Sequence, residues 1–525
     1  MSEMYFSRWK KFMLICLMIV LNVVLRFQVV LNEIGWDSFY VHIMANSLSE
    51  FGYARWFLHP LSIPGLYPVS DVSAVPFLLS CISQATGLEM RWVIFLYCVF
   101  IGILSMFTAY LMAGEIIDDD LFKFLVAFGF STSPAVVGYT TLTIASRNLF
   151  IVLAPLFIYL LLKCRKSIGS KYVLLTIFLA IFLFTTHHLF YFLIPAFFAF
   201  FVLSIGYTLK KHINIRIPEK IVSLFPAGVL SPFISIAGFL CMFSIPFFTG
   251  RFIEVSRYAP IDESYVRYVG ILFIPAIGGL AYLVFKRNKA FGEWFLLLTL
   301  IFLTTFIYEQ TYMKWFLPIF LVPFAGIGLI NVLRLSVKRK RKHILPIIAI
   351  FLLLVLSFSA YYQFLHTYRT SPYDERYIEE STYKTGQWMK ENIKIGSAIS
   401  NDVLFGRRIF AISETVHLLD ATTVLNYIYG FIDVNLSQFE RYPITEEDFW
   451  FTGYKGPDIG EIAWESVHRM WRSPQELNIS YVVENKQCGG KLWYKHGNYP
   501  QFLHYTYENA DSIYDCGNIG IWKIR

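Results

Sequence analysis

Charge is scarce in this chain, and the scarcity decides its class. Of 525 residues only 16% are Asp, Glu, Lys or Arg, against 56% hydrophobic, and the mean hydropathy is +0.52. Soluble domains carry roughly 25% charged residues, so the composition excludes an ordinary soluble enzyme and predicts a polytopic membrane protein. No metal-spaced Cys/His cluster is found, which excludes a zinc module. P-loop, dinucleotide fingerprint and internal repeat are missing as well. Cysteine is sparse. Of the 7, Cys16, Cys81, Cys98, Cys164 and Cys241 lie in or beside apolar segments, leaving Cys488 and Cys516 alone in the polar C-terminal part.

Aromatic residues are abundant instead, at 18% with 51 Phe, as expected of helices that face lipid and one another. The net charge of +8 divides unevenly. Residues 1–362 hold 29 Lys/Arg against 16 Asp/Glu (29 − 16 = +13), and residues 363–525 hold 16 against 21 (16 − 21 = −5). The positive excess lies between apolar segments, where it sets topology and gives no argument for nucleic acid.

After an anchor over 12–31, apolar segments run over 91–112, 121–139, 147–163, 172–187, 189–208, 222–248, 268–285, 292–308, 314–333 and 344–362. As one helix, 174–207 would measure about 51 Å against a hydrocarbon core of about 30 Å, so a hairpin is expected at Thr185-Thr186-His187-His188. The stretch 72–85 is apolar but short, and charge decides its fate. If it does not cross, the basic loops around Lys10, Lys166, Lys211, Arg287 and Lys340 all fall on one side. The positive-inside rule then gives eleven helices, a cytoplasmic N-terminus and an extracellular C-terminus in a multi-pass protein of the cell membrane. The acidic run 115–120 is the dissenting cytoplasmic loop, although acidic residues weigh little in this rule. The run Lys338 to Lys342 reads as an anchor to anionic membrane lipids.

Two polar regions stand on the outer side. Residues 363–525 read as a separate α/β domain, with a helix over 379–392, a strand over 479–484 and a hairpin over 512–524 turning near Gly517-Asn518. Asn435 and Asn478 begin glycosylation acceptor patterns that agree with an outer location. Cys488 and Cys516 are expected to form a disulfide there, closing a loop of roughly 30 residues and contributing about 3 kcal/mol. The other region is the loop 32–71. Phe39, Ile43, Ala45, Leu48 and Phe51 return at helical spacing after Asp37, Gly52 supplies a stop, and a Pro/Gly-broken aromatic stretch through His59 follows. The pattern predicts a long loop lying on the bilayer, with Asp37 held just beyond a membrane helix.

This arrangement resembles the GT-C superfamily, integral-membrane glycosyltransferases that use polyprenyl-phosphate-linked sugars. The shared features are an acidic first external loop (Trp36-Asp37-Ser38-Phe39-Tyr40), about a dozen helices and a C-terminal external domain. Ser133-Pro134 with Ser146-Arg147 is similar to the proline and Ser-Arg pair of the family's early helices. The segment from Tyr308 and Glu309 through Lys314 to Pro318, ending in Ala325-Gly326-Ile327-Gly328-Leu329, resembles the stretch that sets a basic residue on the lipid phosphate. The resemblance implies transfer of a sugar from a polyprenyl- or dolichyl-phosphate donor to a glycan, lipid or protein acceptor. Oligosaccharyltransferase subunits add a Trp-Trp-Asp motif and a second acidic motif for a divalent metal, Mg²⁺ or Mn²⁺. Here Trp464-Glu465-Ser466 does not match the first, and Ser146-Arg147 is followed by Asn148-Leu149-Phe150 without a carboxylate. A monophosphate-linked donor fits this pattern better, with whole-oligosaccharide transfer to protein as the alternative.

The resemblance implies a general-base role for Asp37, whose carboxylate would gain basicity beside an apolar wall. Lys314 would meet the donor phosphate where charge develops, a snorkelling interface lysine being the plain alternative, and Arg147 is a similar candidate. His187 and His188 would reach phosphate or acceptor, or else bond neighbouring backbone; His59 and Glu309 complete the candidate substrate-binding set. Glu254, Asp262, Glu263, Arg251, Arg257 and Arg267 form a mixed-charge loop with no assigned catalytic role. A transporter or flippase of lipid-linked sugars is the competing class. Charges concentrated at helix ends on one face, Arg26 excepted, favour an enzyme. The topology carries a direct test: membrane-impermeant thiol reagents should label cysteines introduced near 71 and 371 from outside, and not near 336. Outside labelling at 336 would overturn the eleven-helix count.

Overall fold

The computed structural model describes residues 5–27, 30–51, 74–166, 170–212, 267–307, 316–338, 344–367, 376–393, 397–400, 403–413, 417–418, 479–486 and 510–525. Its first helices are α1 (Arg8–Leu25), α2 (Trp36–Phe51), α3 (Ala74–Thr86) and α4 (Met90–Ile116). They are followed by α5 (Asp120–Ser131), α6 (Pro134–Tyr139), α7 (Ser146–Lys166), α8 (Ser170–Thr186) and α9 (Ile194–His212). Among the described residues α10 (Phe273–Phe285), α11 (Phe291–Ile307), α12 (Leu317–Lys338) and α13 (Ile344–Thr367) complete the apolar set. Among the described residues five stretches are long and apolar enough to cross a membrane: Met90–Ile116, Ser146–Arg165, Arg267–Phe285, Leu317–Leu335 and Ile344–Leu365. The segment 222–248 lies outside the described residues.

Local chemistry accounts for the breaks. The apolar run through 174–207 is interrupted as expected, by a 3-10 turn at His188–Leu193 between α8 and α9. The run 121–139, expected as one segment, is two helices. Pro134 lacks an N–H and disfavours a helical residue before it, so Ser133 is extended (φ −61°, ψ 143°) and the chain restarts as α6 with proline in its first turn. Helix α3 has 13 residues, about 20 Å at 1.5 Å per residue, against a core of about 30 Å. It ends where Gly87 turns at φ +70°.

The acidic run that opposed the charge rule is neutralised residue by residue. Glu115 pairs with Lys163 at 2.9 Å, Asp118 with Lys123 at 2.5 Å, Asp119 with Arg334 at 2.8 Å and Asp120 with Lys11 at 2.8 Å. Asp119 also caps α5 by accepting from the Phe122 N–H at 3.0 Å. These bonds tie the ends of α1, α4, α5, α7 and α12 together.

The C-terminal part contains α14 (Glu380–Asn392), β1 (Ser397–Ser400), α15 (Val403–Ser413), β2 (His417–Leu418), β3 (Ile479–Asn485), β4 (Ala510–Asp515) and β5 (Ile519–Ile524). The sheet order is β2-β1-β3-β5-β4; β1 runs parallel to β2 and β3, while β5 is antiparallel to β3 and β4. The expected helix, strand and hairpin are all present, in a mixed α/β arrangement. Cys516 is exposed and carries a free thiol, with Sγ 3.7 Å from Thr385 Oγ1; Cys488 lies outside the described residues.

Helix α2 departs from the surface helix expected of an external loop. Phe39, Ile43, Met44 and Leu48 are buried in one apolar cluster with Met389, Phe405, Ile409, Val483 and Ile521 of the C-terminal part. Val41 and Ala45 are buried in the main helical core with Val75 and Leu79. It is a shared wall and not a bilayer-resting ribbon.

Close packing of α10 on α12 rests on glycine. A Cβ at Gly279 would overlap the Phe324 carbonyl oxygen, and one at Gly328 the Pro275 carbonyl oxygen. Backbone atoms cannot rotate away, so the two helices would have to separate. Gly279→Ala should therefore cost about 1–3 kcal/mol and lower the unfolding midpoint in detergent. Gly206→Ala, on α9 with open space around the added methyl, should be neutral or mildly stabilising under the same measurement.

Candidate functional site

Two short sequences 110 positions apart meet at one end of the bundle. Asp37 lies in the first turn of α2, and Arg147 is the second residue of α7. Arg147 Nη2 donates to Asp37 Oδ2, with the carboxylate side chain 54% exposed and the guanidinium 18% exposed. The pair is thus open to an incoming molecule on the aspartate side. Among the described residues the neighbour shown at Asp37 is a cation, where an apolar wall is expected from the sequence.

The backbone is built to bring these two residues together. Before α2 the chain turns at Gly35 (φ +96°), a conformation that favours glycine. Ile34 N–H donates to the Leu142 carbonyl at 2.7 Å, and Gly35 N–H to the Arg376 carbonyl at 2.9 Å. Ser38 Oγ donates to the Ile34 carbonyl at 2.6 Å and accepts from the Ile144 N–H at 3.0 Å. The stretch 140–145, between α6 and α7, is thereby laced to the start of α2. Leu142 holds φ +51°, an unfavourable backbone for a branched side chain, and it is buried where that lacing fixes it. Asn148 secures the other side, its Nδ2 donating to the carbonyls of Tyr139 at 3.0 Å and Thr143 at 2.8 Å.

One aromatic ring borders the pair, and a second ring with a second guanidinium lies against the neighbouring helix α6. The Arg147 guanidinium lies over the Tyr139 ring at 5.5 Å. Tyr362 lies beside Gly138, where an added Cβ would be 3.5 Å from its ring, and accepts from Arg267 Nε at 3.4 Å. Arg267 belongs to the mixed-charge loop that sequence reasoning left without a role, and Tyr139 and Tyr362 were not singled out. Only the aromatic–basic composition of this end of the bundle could have flagged them.

The remaining candidates divide. His187 is buried and its Nδ1 accepts the Leu189 N–H at 3.1 Å, so the ring caps the 3-10 turn by bonding backbone. His188 begins that turn, and its side chain lies outside what the structure describes. His59, Glu309 and Lys314 lie outside the described residues. Phe316, two residues beyond Lys314, is buried against Phe150 at 5.5 Å and Phe192 at 5.3 Å. Phe150 is one helical turn from Arg147.

A divalent metal needs several oxygen ligands, often two carboxylates. Among the described residues no group of three or more His, Cys, Asp or Glu is placed to hold one. The Asp37 carboxylate instead faces a guanidinium, which supplies positive charge there. These residues do not make a donor set for Mg²⁺ or Mn²⁺.

No protein-family model matches the chain, and no curated protein matches its sequence. Solved structures do match. An oligosaccharyltransferase, AglB of Archaeoglobus fulgidus, in complex with an inhibitory peptide and a dolichol-phosphate, superimposes with TM-score 0.54 and 13% identity, over 99% of this chain and 75% of its own. The A. fulgidus oligosaccharyltransferase in its apo form gives TM-score 0.53 at 13% identity, over 92% of this chain and 70% of its own. The mycobacterial arabinofuranosyltransferase AftD, as the R1389S mutant, gives TM-score 0.52 at 13% identity, over 100% of this chain but only 42% of its own. At such identity the likeness concerns architecture. The chain shares the fold of these solved structures.

Proposed function

We propose that the chain is a membrane glycosyltransferase that moves a sugar from a polyprenyl-phosphate donor to an acceptor hydroxyl on a glycan or lipid. The observation that carries the reading is the meeting of Asp37 with Arg147, a carboxylate and a phosphate-binding type of side chain. Support for the donor class comes from the dolichol-phosphate held by the A. fulgidus enzyme of like fold. In this reading the membrane part has eleven crossings, with the C-terminal α/β domain and the Asp37 site on the outer face.

The acceptor oxygen attacks the anomeric carbon, the bond from that carbon to the phosphate oxygen breaks, and the polyprenyl phosphate leaves. The acceptor proton passes to Asp37, and the negative charge that grows on the phosphate is met by Arg147 and Lys314. The fork of Arg147 suits two phosphate oxygens as well as it suits a carboxylate. Donor phosphate therefore competes with Asp37 for Arg147, and the exchange releases the carboxylate when a leaving group is in place. Transfer of a whole oligosaccharide to protein, as the name of the archaeal relative would suggest, has less support. One carboxylate beside a guanidinium favours a donor whose single phosphate is neutralised by side chains.

The test separates binding from chemistry, using labelled sugar transferred from a polyprenyl phosphate to acceptor by purified protein in detergent. Asp37→Asn keeps the shape but accepts no proton at neutral pH, so turnover should fall by about 10²–10⁴-fold while donor affinity is retained or rises, the phosphate no longer competing with a carboxylate for Arg147. Arg147→Ala and Lys314→Ala should weaken donor binding and rate together. An Asp37→Asn protein with near-normal turnover would sink the reading.

A further inference from the structure

Nine residues separate Glu33, just ahead of α2, from His42 in its second turn, yet their side chains meet. His42 Nδ1 and Glu33 Oε1 are 2.6 Å apart, with the two side chains 3% and 0% exposed. Burial this complete is unusual for a histidine–carboxylate pair, and the pair is not fully satisfied. Among the described residues Glu33 Oε2 and His42 Nε2 are buried with no hydrogen-bond partner, and so is the Tyr97 hydroxyl on α4. Buried polar pairs with unmet capacity contribute less to stability than apolar side chains of the same volume. Stability therefore does not explain this pair.

Its location does. The bond closes a ring of chain that contains the Gly35 turn and Asp37. One side of that ring is held to Leu142 and Ile144 through Ile34 and Ser38, and Gly35 is held to Arg376. Those bonds fix where the turn sits. Ser38 and Phe39 bond the start of α2 back to Ile34 and Gly35 within that turn. The Glu33–His42 bond adds a side-chain strap that reaches further, from residue 33 across the first turn to the second. The geometry points to Glu33 and His42 as positioning residues that set the Asp37 carboxylate against Arg147, and the inference rests on the reading of Asp37 as the base.

The experiment uses the full chain in detergent and pairs two substitutions. Glu33→Leu with His42→Leu replaces the strap by apolar groups. Glu33→Gln keeps an oxygen that accepts from the His42 ring. One readout is independent of turnover: cysteines at 37 and 147 are bridged by a short bis-thiosulfonate spacer, and the rate of bridging reports how these positions meet. The other is donor and acceptor kinetics with native Asp37 and Arg147. The double Leu variant should unfold at the same or a higher temperature than the parent, bridge about tenfold more slowly, and lose about 10–100-fold in kcat with donor KM changed less than about threefold. Glu33→Gln should stay within about threefold of the parent in both readouts.

A double Leu variant that bridges and turns over like the parent would overturn the inference. So would one that fails to fold, because the pair would then be structural. Glu33→Gln behaving like the double variant in turnover but like the parent in bridging would also overturn it, by showing a role for charge instead of position. Should Asp37 prove not to be the base, slow bridging in the double variant would still support the positioning role while the turnover arm failed, so the two ideas fall separately.

Discussion

Helix α2 packs Phe39, Ile43, Met44 and Leu48 into the apolar interior of the C-terminal part and Val41 and Ala45 into the helical core. At about 100° per residue, Phe39, Ile43, Met44 and Leu48 cover about half of the helix circumference and Val41 and Ala45 continue it, so the two apolar interiors together bury about two thirds of the way round. A helix gripped by both cannot roll without opening one apolar interior or the other. That constraint is what allows its first turn to present Asp37 at a fixed place. It also makes the C-terminal part a component of the site: Arg376 accepts the Gly35 N–H at 2.9 Å, and Asn46 Nδ2 donates to the Ala411 carbonyl at 3.3 Å.

The partner side of the site is held by a buried cation. Arg26, fully buried at the end of α1, donates to Thr140 Oγ1 at 2.7 Å, Asn22 Oδ1 at 2.8 Å and the Ser131 carbonyl at 3.0 Å. A guanidinium in such surroundings is costly unless its donors are met, and these acceptors meet three of them. Gly102 on α4 makes the room, since a Cβ there would fall on the Arg26 side chain. The ends of α5 and α6 are thus tied to α1 at the point where the stretch 140–145 begins. Arg26 stood out in the sequence as the one deeply placed charge. The structure gives it a scaffold role beneath Arg147.

Apolar runs were legible because membrane helices announce themselves by composition alone, and the break at His187 because no single helix of that length fits a bilayer. The split at Pro134 was written in the sequence too, but the apolar residues on both sides masked it. Asp37 and Arg147 were each legible as candidates, through separate short motifs. Their pairing was not, because nothing local links positions 110 apart. The same holds for the second face of α2. Its Phe39 stripe has helical periodicity, but periodicity says which residues share a face and not what covers it. His187 was open to two readings in sequence, substrate contact or backbone bonding. The structure shows its Nδ1 accepting a backbone N–H of the 3-10 turn.

The proposed exchange of Arg147 between carboxylate and phosphate depends on the pair being weak enough to trade. Asp37 is more than half exposed, and ion pairs in that setting contribute about 0.2–1 kcal/mol, because water competes for both partners. The donor's phosphodiester offers the same single charge and two free oxygens as the aspartate, and it gains charge as the sugar departs, so the guanidinium gains by moving to it as the reaction proceeds. Arg147 itself is less free. It lies over the Tyr139 ring at 5.5 Å, and its helix start is pinned through Asn148 to the carbonyls of Tyr139 and Thr143. A fixed cation beside an exposed, loosely paired carboxylate lets the arrival of the donor phosphate decide when the carboxylate is released. Protons would then be accepted only with a leaving group already bound, which couples the freeing of the base to the presence of the donor.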